Sequence, residues 1–258
     1  MFEIFKKYPD LIVAVSEKKD GTMRLTGDVL YDKKMVKNRE RFLKKFGISD
    51  ELVVRAGLVH GNRVHPVSSQ EAGKIIEKTD GLITADKNLF LTITVADCLP
   101  IFIYDPENEI VGLVHGGWRN LAGNILALTI KKMTENFGSI SGDILAGIGP
   151  GISQCHFEVK EDLLREFKIL DCKRPLQKSS DRTIFGSTLA ADALLEKDGK
   201  YFLDLKKIAK IQLMNLGVKE ENIEISPECT FCLKDKYFSF RREMPKIPQT
   251  MMAVIGRK

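Results

Sequence analysis

Apolar positions along the chain follow two patterns. Some form short β-branched runs bounded by turn residues, and others return at helical spacing among charged residues. Residues 11–16 are the first strand candidate, with a turn over 18–21. Over 35–46, Val36, Phe42, Leu43 and Phe46 mark a surface helix, and Gly47 stands where its C-cap belongs. A strand over 53–59 leads to His60, a Ser68/Glu71 capping box points to a short helix over 68–78, and Asp80-Gly81 turns into an extended segment over 80–84. The run over 89–95 reads as a buried strand, followed by strands over 101–104 and 110–114. Ala122, Ile125, Leu126, Met133 and Phe137 predict one helix over 119–137, closed by Gly138. A strand over 144–148, a helix marked by Leu163, Leu164, Phe167 and Leu170, and a polar loop or lid over 173–183 follow. A helix carrying Leu205, Ile208, Ala209, Leu213 and Leu216, then strands over 223–226, 237–241 and 252–255, complete the order.

This mixture predicts an α/β or α+β fold, and the absence of repeats, low-complexity segments or Gly/Ser linkers predicts a single domain over residues 1–258. The hydrophobic fraction of 43% and charged fraction of 29% are those of a soluble globular protein. The net charge of +5 raises a nucleic-acid reading, but the basic residues are scattered pairs with acids nearby, and no basic stripe with interleaved aromatics appears. Nucleic acid and membrane are therefore excluded as expected partners. The only apolar run near the N-terminus covers 11–15, too short for a signal or anchor, so the expected location is cytoplasmic. Five cysteines at irregular spacing fit free thiols. Cys229 and Cys232 form a lone C-x-x-C with no second pair at zinc-site spacing, and two packed thiols are expected there.

Candidate chemistry concentrates in residues 94–120, TVADCLPIFIYDPENEIVGLVHGGWRN, where Cys98 opens one apolar run and His115 closes the next. With His60, these give one thiol and two imidazoles, a donor set suited to zinc that leaves a fourth position open. Their separations, 38 residues from His60 to Cys98 and 17 from Cys98 to His115, match no local zinc motif. Copper is the alternative ion, although a blue-copper centre plus a trinuclear cluster needs more imidazoles than the four histidines present. Cys98 as nucleophile with His115 as general base is a further reading. Asp97 is a candidate orienting group or proton carrier, with a structural role as its alternative. Arg119, after the His-Gly-Gly bend, and Arg63 are candidate phosphate ligands, or else surface ion-pair partners. Trp118 offers a face to a base or packs in the core.

Five motifs, in order, resemble the YfiH-like family, described both as laccase-domain or multicopper polyphenol oxidase proteins and as purine nucleoside phosphorylases. They are Val59-His60-Gly61, Ala96-Asp97-Cys98-Leu99-Pro100, His115-Gly116-Gly117-Trp118-Arg119, Gly147-Ile148-Gly149-Pro150 and Phe238-Ser239-Phe240-Arg241-Arg242. The resemblance implies a four-layer αββα sandwich like the catalytic domain of cytotoxic necrotizing factor, with metal ligands at His60, Cys98 and His115. It also implies phosphorolysis of adenosine, inosine and methylthioadenosine, with adenosine deamination as a companion activity. Purine nucleosides and phosphate are the partners so implied. The chain departs from the family pattern at Leu58, where Gln is common, at HGGWRN in place of HAGWRG, and around 247–250, where Thr-Gly-Arg is usual. Three other readings stand beside this one: a Cys98/His115 hydrolase acting on amide or peptidoglycan-precursor bonds, a copper-dependent, laccase-like polyphenol oxidase, and a non-catalytic binding protein.

Overall fold

The apolar runs pair into three sheets in a computed structural model that describes residues 2–27, 29–167 and 191–258. One sheet has the order β1 (Leu11–Val15), β14 (Met251–Arg257), β6 (Phe90–Val95), β2 (Val53–Gly57) and β4 (Ile75–Glu77). A second has the order β13 (Ile223–Ile225), β9 (Leu145–Ile148), β7 (Leu99–Asp105), β8 (Ile110–Gly116), β5 (Gly81–Thr84) and β3 (Val64–Pro66). A small third sheet joins β10 (Glu158–Val159), β12 (Lys200–Leu203) and β11 (Leu194–Lys197). The loop expected over 173–183 lies outside the described residues.

Side-chain alternation explains how the two large sheets stack. On β7, Leu99, Ile101 and Ile103 enter one core, while Phe102 and Tyr104 enter another. Ile110 and Val114 of β8 likewise part from Val111 and Leu113. A strand apolar on both faces is stable only when both are covered. Leu91 and Ile93 of β6 and Ala253 and Ile255 of β14 share the core of Phe102, whereas Phe90, Met252 and Val254 turn to the opposite side. The Phe102 core thus lies between the two sheets.

Helices cover the outer faces. Phe42 and Leu43 of α1 (Val29–Lys44) pack on the Phe90 side of the first sheet. Ile130 and Met133 of α3 (Ile125–Phe137) and Ile208 and Leu213 of α5 (Leu205–Asn215) pack on the Ile101 side of the second. The fold is therefore mixed α/β with several sheets, and among the described residues no helix is long and apolar enough to cross a membrane.

Several local expectations are corrected. The Ser68/Glu71 capping box forms, but only a 3-10 turn, Ser69–Glu71, follows it. Gly73 then takes φ +78 and the chain continues as β4, because pairing with β2 satisfies more backbone groups than one helical turn. The helix expected over 119–137 is split into α2 (Trp118–Ala122) and α3, since Gly123 closes α2 and Asn124 adopts a left-handed φ of 58°. α4 (Glu161–Glu166) covers part of the next expected helix, of which Leu170 lies outside the described residues. The strand expected over 237–241 is instead a turn leading into α6 (Phe240–Glu243), with Ser239 accepting from the Arg242 amide.

Phe102 is fully buried between the sheets and packs on Phe2 at a ring-centroid distance of 5.7 Å. Phe102→Ala leaves a cavity that the strands on either side cannot close. Denaturant unfolding is expected to show a loss of about 3–5 kcal/mol.

Candidate functional site

The antiparallel register of β7 and β8 places Leu99 opposite Gly116 and Pro100 opposite His115, so Cys98 and His115 meet at the same end of one ladder. His60 arrives differently. It lies beyond β2 in a loop, with a left-handed φ of 58°, and is exposed where His115 is only 2% exposed. The ring centroids of His60 and His115 lie 4.9 Å apart at 74°. One ligand-type atom from each of His60, Cys98 and His115 falls within 4.8 Å of the others, so the fold gathers the three into a cluster able to hold a metal ion.

Asp80 fixes this convergence. It is fully buried just before β5, and its Oδ1 lies 3.0 Å from His115 Nδ1, which leaves the Nε2 side of the ring for Cys98. The same carboxylate accepts the amides of Val59 at 3.1 Å, His60 at 2.9 Å and Gly61 at 2.9 Å. One buried anion thereby orients one histidine ring and shapes the loop bearing the other. Burial works against its charge, yet the His115 ring and the Gly61 and Val59 amides hold its carboxyl below the usual range.

Cys98 and His115 shift each other. Burial disfavours the Cys98 thiolate, but His115 and then His60 beside it bring the thiol down to about 6. Burial likewise disfavours a charged His115, but the Cys98 thiolate and the Asp80 carboxylate raise it to about 9. Without a metal, the two form a thiolate–imidazolium pair at neutral pH.

Asn120 completes the frame. It is fully buried, its Oδ1 accepts the Gly117 amide at 2.9 Å, and its Nδ2 donates to the Gly61 carbonyl in the His60 loop. A Cβ on Gly117 would lie 3.0 Å from Cys98 Sγ and 2.7 Å from Asn120 Oδ1. Only glycine lets this bend lie against the thiol. Sequence reasoning missed both Asp80 and Asn120. Asp80-Gly81 looks like an ordinary turn, and Asn120 registered only as a departure from HAGWRG.

The remaining predicted residues lie around the cluster. The carboxylate on His115 is Asp80, not Asp97, whose oxygens accept Thr230 Oγ1 at 2.7 Å, Ser239 Oγ at 3.0 Å and the Arg241 amide at 2.7 Å. Asp97 therefore ties the residue before Cys98 to the C-terminal segment. Arg119 is exposed with its guanidinium 4.1 Å above the Trp118 ring, while Arg63 donates to the Glu77 carbonyl at 3.3 Å. The Gly117 amide is taken by Asn120 Oδ1. A cleft of about 410 Å³ opens beside Trp118, walled by Phe157, Lys160, Asp162 and Arg241.

Known proteins are similar to this chain in sequence and in fold. "Purine nucleoside phosphorylase YlmD" of Bacillus subtilis (strain 168) is 35% identical over 242 residues, covering 90% of this chain and 81% of that protein. The crystal structure of the Bacillus licheniformis hypothetical protein YfiH aligns with a TM-score of 0.86 and 28% identity, over 98% of this chain and 95% of that one. YlmD from Geobacillus stearothermophilus aligns at 0.84 and 27%, over 98% and 94%. Residues 14–258 match the multi-copper polyphenol oxidoreductase laccase family, and the chain belongs to that family.

Proposed function

We propose that the protein is a zinc-dependent purine nucleoside phosphorylase that converts adenosine, inosine or methylthioadenosine and phosphate into base and pentose 1-phosphate, with adenosine deamination as a companion activity. We read residues 1–258 as one domain with the four-layer αββα architecture of the cytotoxic-necrotizing-factor catalytic domain, acting in the cytoplasm. The observation that carries the proposal is the convergence of His60, Cys98 and His115 around Asp80, in a chain similar to a protein named purine nucleoside phosphorylase.

The residues fit the metal. One thiol already drawn toward thiolate and two imidazoles, one backed by a buried carboxylate, make a borderline-soft set of three, and His115 presents its free nitrogen by virtue of Asp80. Zinc held by three ligands keeps one position open and supplies Lewis-acid polarisation of an oxygen placed there. Arg119, clamped over Trp118, provides the charge for phosphate, and Arg63 is the reserve candidate. The cleft beside Trp118 lies next to the bend that follows His115, although none of the three cluster residues lines it. Asp97 acts by positioning the backbone of Cys98. The thiolate–imidazolium pair favours one second reading, a Cys98/His115 hydrolase without metal.

Metal analysis separates the two. His60→Ala, Cys98→Ala and His115→Ala are each expected to lower zinc content by about one ion per chain, and Asp80→Asn to weaken zinc affinity roughly 10- to 100-fold. Full activity in stably zinc-free protein would favour the hydrolase.

Proton counting tests the electrostatics. Between pH 6 and 9 Cys98 is already a thiolate while His115 carries a proton, so zinc binding should expel about one proton from this pair. The release should grow as pH falls below about 6, where the thiol is also protonated, and vanish above about 9. Calorimetry in buffers of different ionisation enthalpy reads it directly.

Phosphate dependence tests the reaction class. Adenine and ribose 1-phosphate should form from adenosine only when phosphate is present, whereas inosine should form with water alone. Arg119→Ala is expected to weaken phosphate about ten- to a hundredfold and to slow phosphorolysis more than deamination. Equal release of adenine without phosphate would overturn the phosphorylase reading.

A further inference from the structure

The sequence leaves Cys229 and Cys232 as a lone C-x-x-C, but the fold supplies the missing pair from 74 residues upstream. Cys155 Sγ lies 3.9 Å from Cys229 Sγ and 3.7 Å from Cys232 Sγ. His156 Nδ1 lies 3.1 Å from Cys155 Sγ and 3.3 Å from Cys232 Sγ. All four candidate ligand atoms fall within 4.8 Å of one another. We propose that Cys155, His156, Cys229 and Cys232 form a second, structural metal site that binds zinc tetrahedrally and is distinct from the His60, Cys98 and His115 cluster.

The spacing favours an ion. Zn–S bonds of about 2.3 Å at tetrahedral angles place sulfurs about 3.8 Å apart, and the two observed separations bracket that value. A disulfide would need one sulfur pair drawn to about 2 Å. Here Cys155 stands almost equally far from both partners, so no pair is singled out, and a bridge would leave the third thiol and the imidazole without a role. Three sulfurs and one nitrogen are also a donor set that selects a tetrahedral, thiophilic ion, and with four protein ligands the site is closed, as structural zinc sites are.

The surroundings hold the donors in place. Cys155 and His156 sit in a tight turn in which the amides of His156 and Phe157 donate to the Ser153 carbonyl at 3.0 and 3.1 Å. The His156 ring stacks on Phe231 at 4.0 Å and 17°, which fixes its plane between the two cysteines of the C-x-x-C. The Ser153 amide donates to Cys229 Sγ at 3.4 Å, and the amides of Phe231 and Cys232 point at the same sulfur. Arg242 donates to the carbonyls of Thr230 and Phe231 at 2.7 Å each, inside the C-x-x-C, and supplies positive charge beside a centre that carries a net negative charge with three thiolates.

Such an ion would clip two distant turns together at a point that matters for the first cluster. Gly151 bridges to Cys229, and Thr230, between the two cysteines, donates to Asp97, the residue before Cys98. The 153–156 turn also leads into Phe157 and Lys160 of the cleft beside Trp118.

Two measurements on the full chain, purified under reducing conditions without chelator, test the site, and neither depends on nucleoside chemistry. Wild type is expected to hold about two zinc ions per chain, and Cys232→Ser, at an exposed position, or Cys155→Ser about one. Cobalt loaded in place of zinc should give a sulfur-to-cobalt charge-transfer band, of which Cys98→Ala keeps about three-quarters, because three of the four thiolates remain. Cys232→Ser should remove most of that retained part. The proposal is overturned if Cys98→Ala binds no metal, if Cys232→Ser changes neither metal content nor the cobalt spectrum, or if mass analysis finds Cys155 joined to Cys229 or Cys232 in protein kept in reductant. Should Cys98→Ala fail to fold, the metal count of wild type against Cys232→Ser decides alone. Wild type that holds metal at this site and none at the His60, Cys98 and His115 cluster would sink the proposed function and leave this site standing.

Discussion

The buried Asp80 carboxylate accepts four donors from two segments, the amides of Val59, His60 and Gly61 and the ring of His115. A buried carboxylate without such partners is unstable, and three amides in a tight loop without an acceptor are nearly as costly, so each side compels the other. The left-handed backbone of His60, unfavourable for a side-chain-bearing residue, is held because those three amides converge on one anion. Everything specific about the cluster follows from this. Cys98 and His115 are set by a strand ladder, and Asp80 brings the third residue to them.

A second layer of support reaches the cluster from the C-terminal part of the chain. Asp97 gathers Thr230, Ser239 and the Arg241 amide, and Arg242 binds the carbonyls of Thr230, Phe231 and Tyr237. The FSFRRE segment thus acts without touching the histidines. Its polar groups serve a buried carboxylate on one side and backbone carbonyls on the other, and both uses go with the chain leaving the extended conformation after Ser239.

What could be read from the sequence follows the range of the forces involved. β7 and β8 were legible because alternation between two apolar faces is a local pattern. His60, Cys98 and His115 stood out through residue type and their place in recognisable motifs, and the structure places them together. Asp80 was illegible because its partners lie 20 and 35 residues away and its own neighbourhood spells a turn. The break in the 119–137 helix turned on Asn124 entering the left-handed region, which periodicity cannot register. Tyr237 and Phe238 imitate a strand because both are buried, yet the pull of Asp97 on Ser239 and Arg241 decides the backbone there. Cys155 and His156 carried no signal at all until the fold set them beside the C-x-x-C.

The placement of β14 has a consequence for how the molecule assembles over time. Residues 251–257 are inserted between β1 and β6, in the interior of the five-stranded sheet, and pair with both along nearly their whole length. During synthesis β1 emerges early, yet among the described residues its one partner in this sheet is a strand made more than two hundred residues later. Until then the edges of β1 and β6 that β14 will pair stay open, and the growing chain must be kept from pairing with its neighbours. Closure of so long a loop is also slow. The joining of β1 to the β6, β2 and β4 part of the sheet is thus a late event, and shortening the chain within β14 would separate the two parts rather than trim an edge.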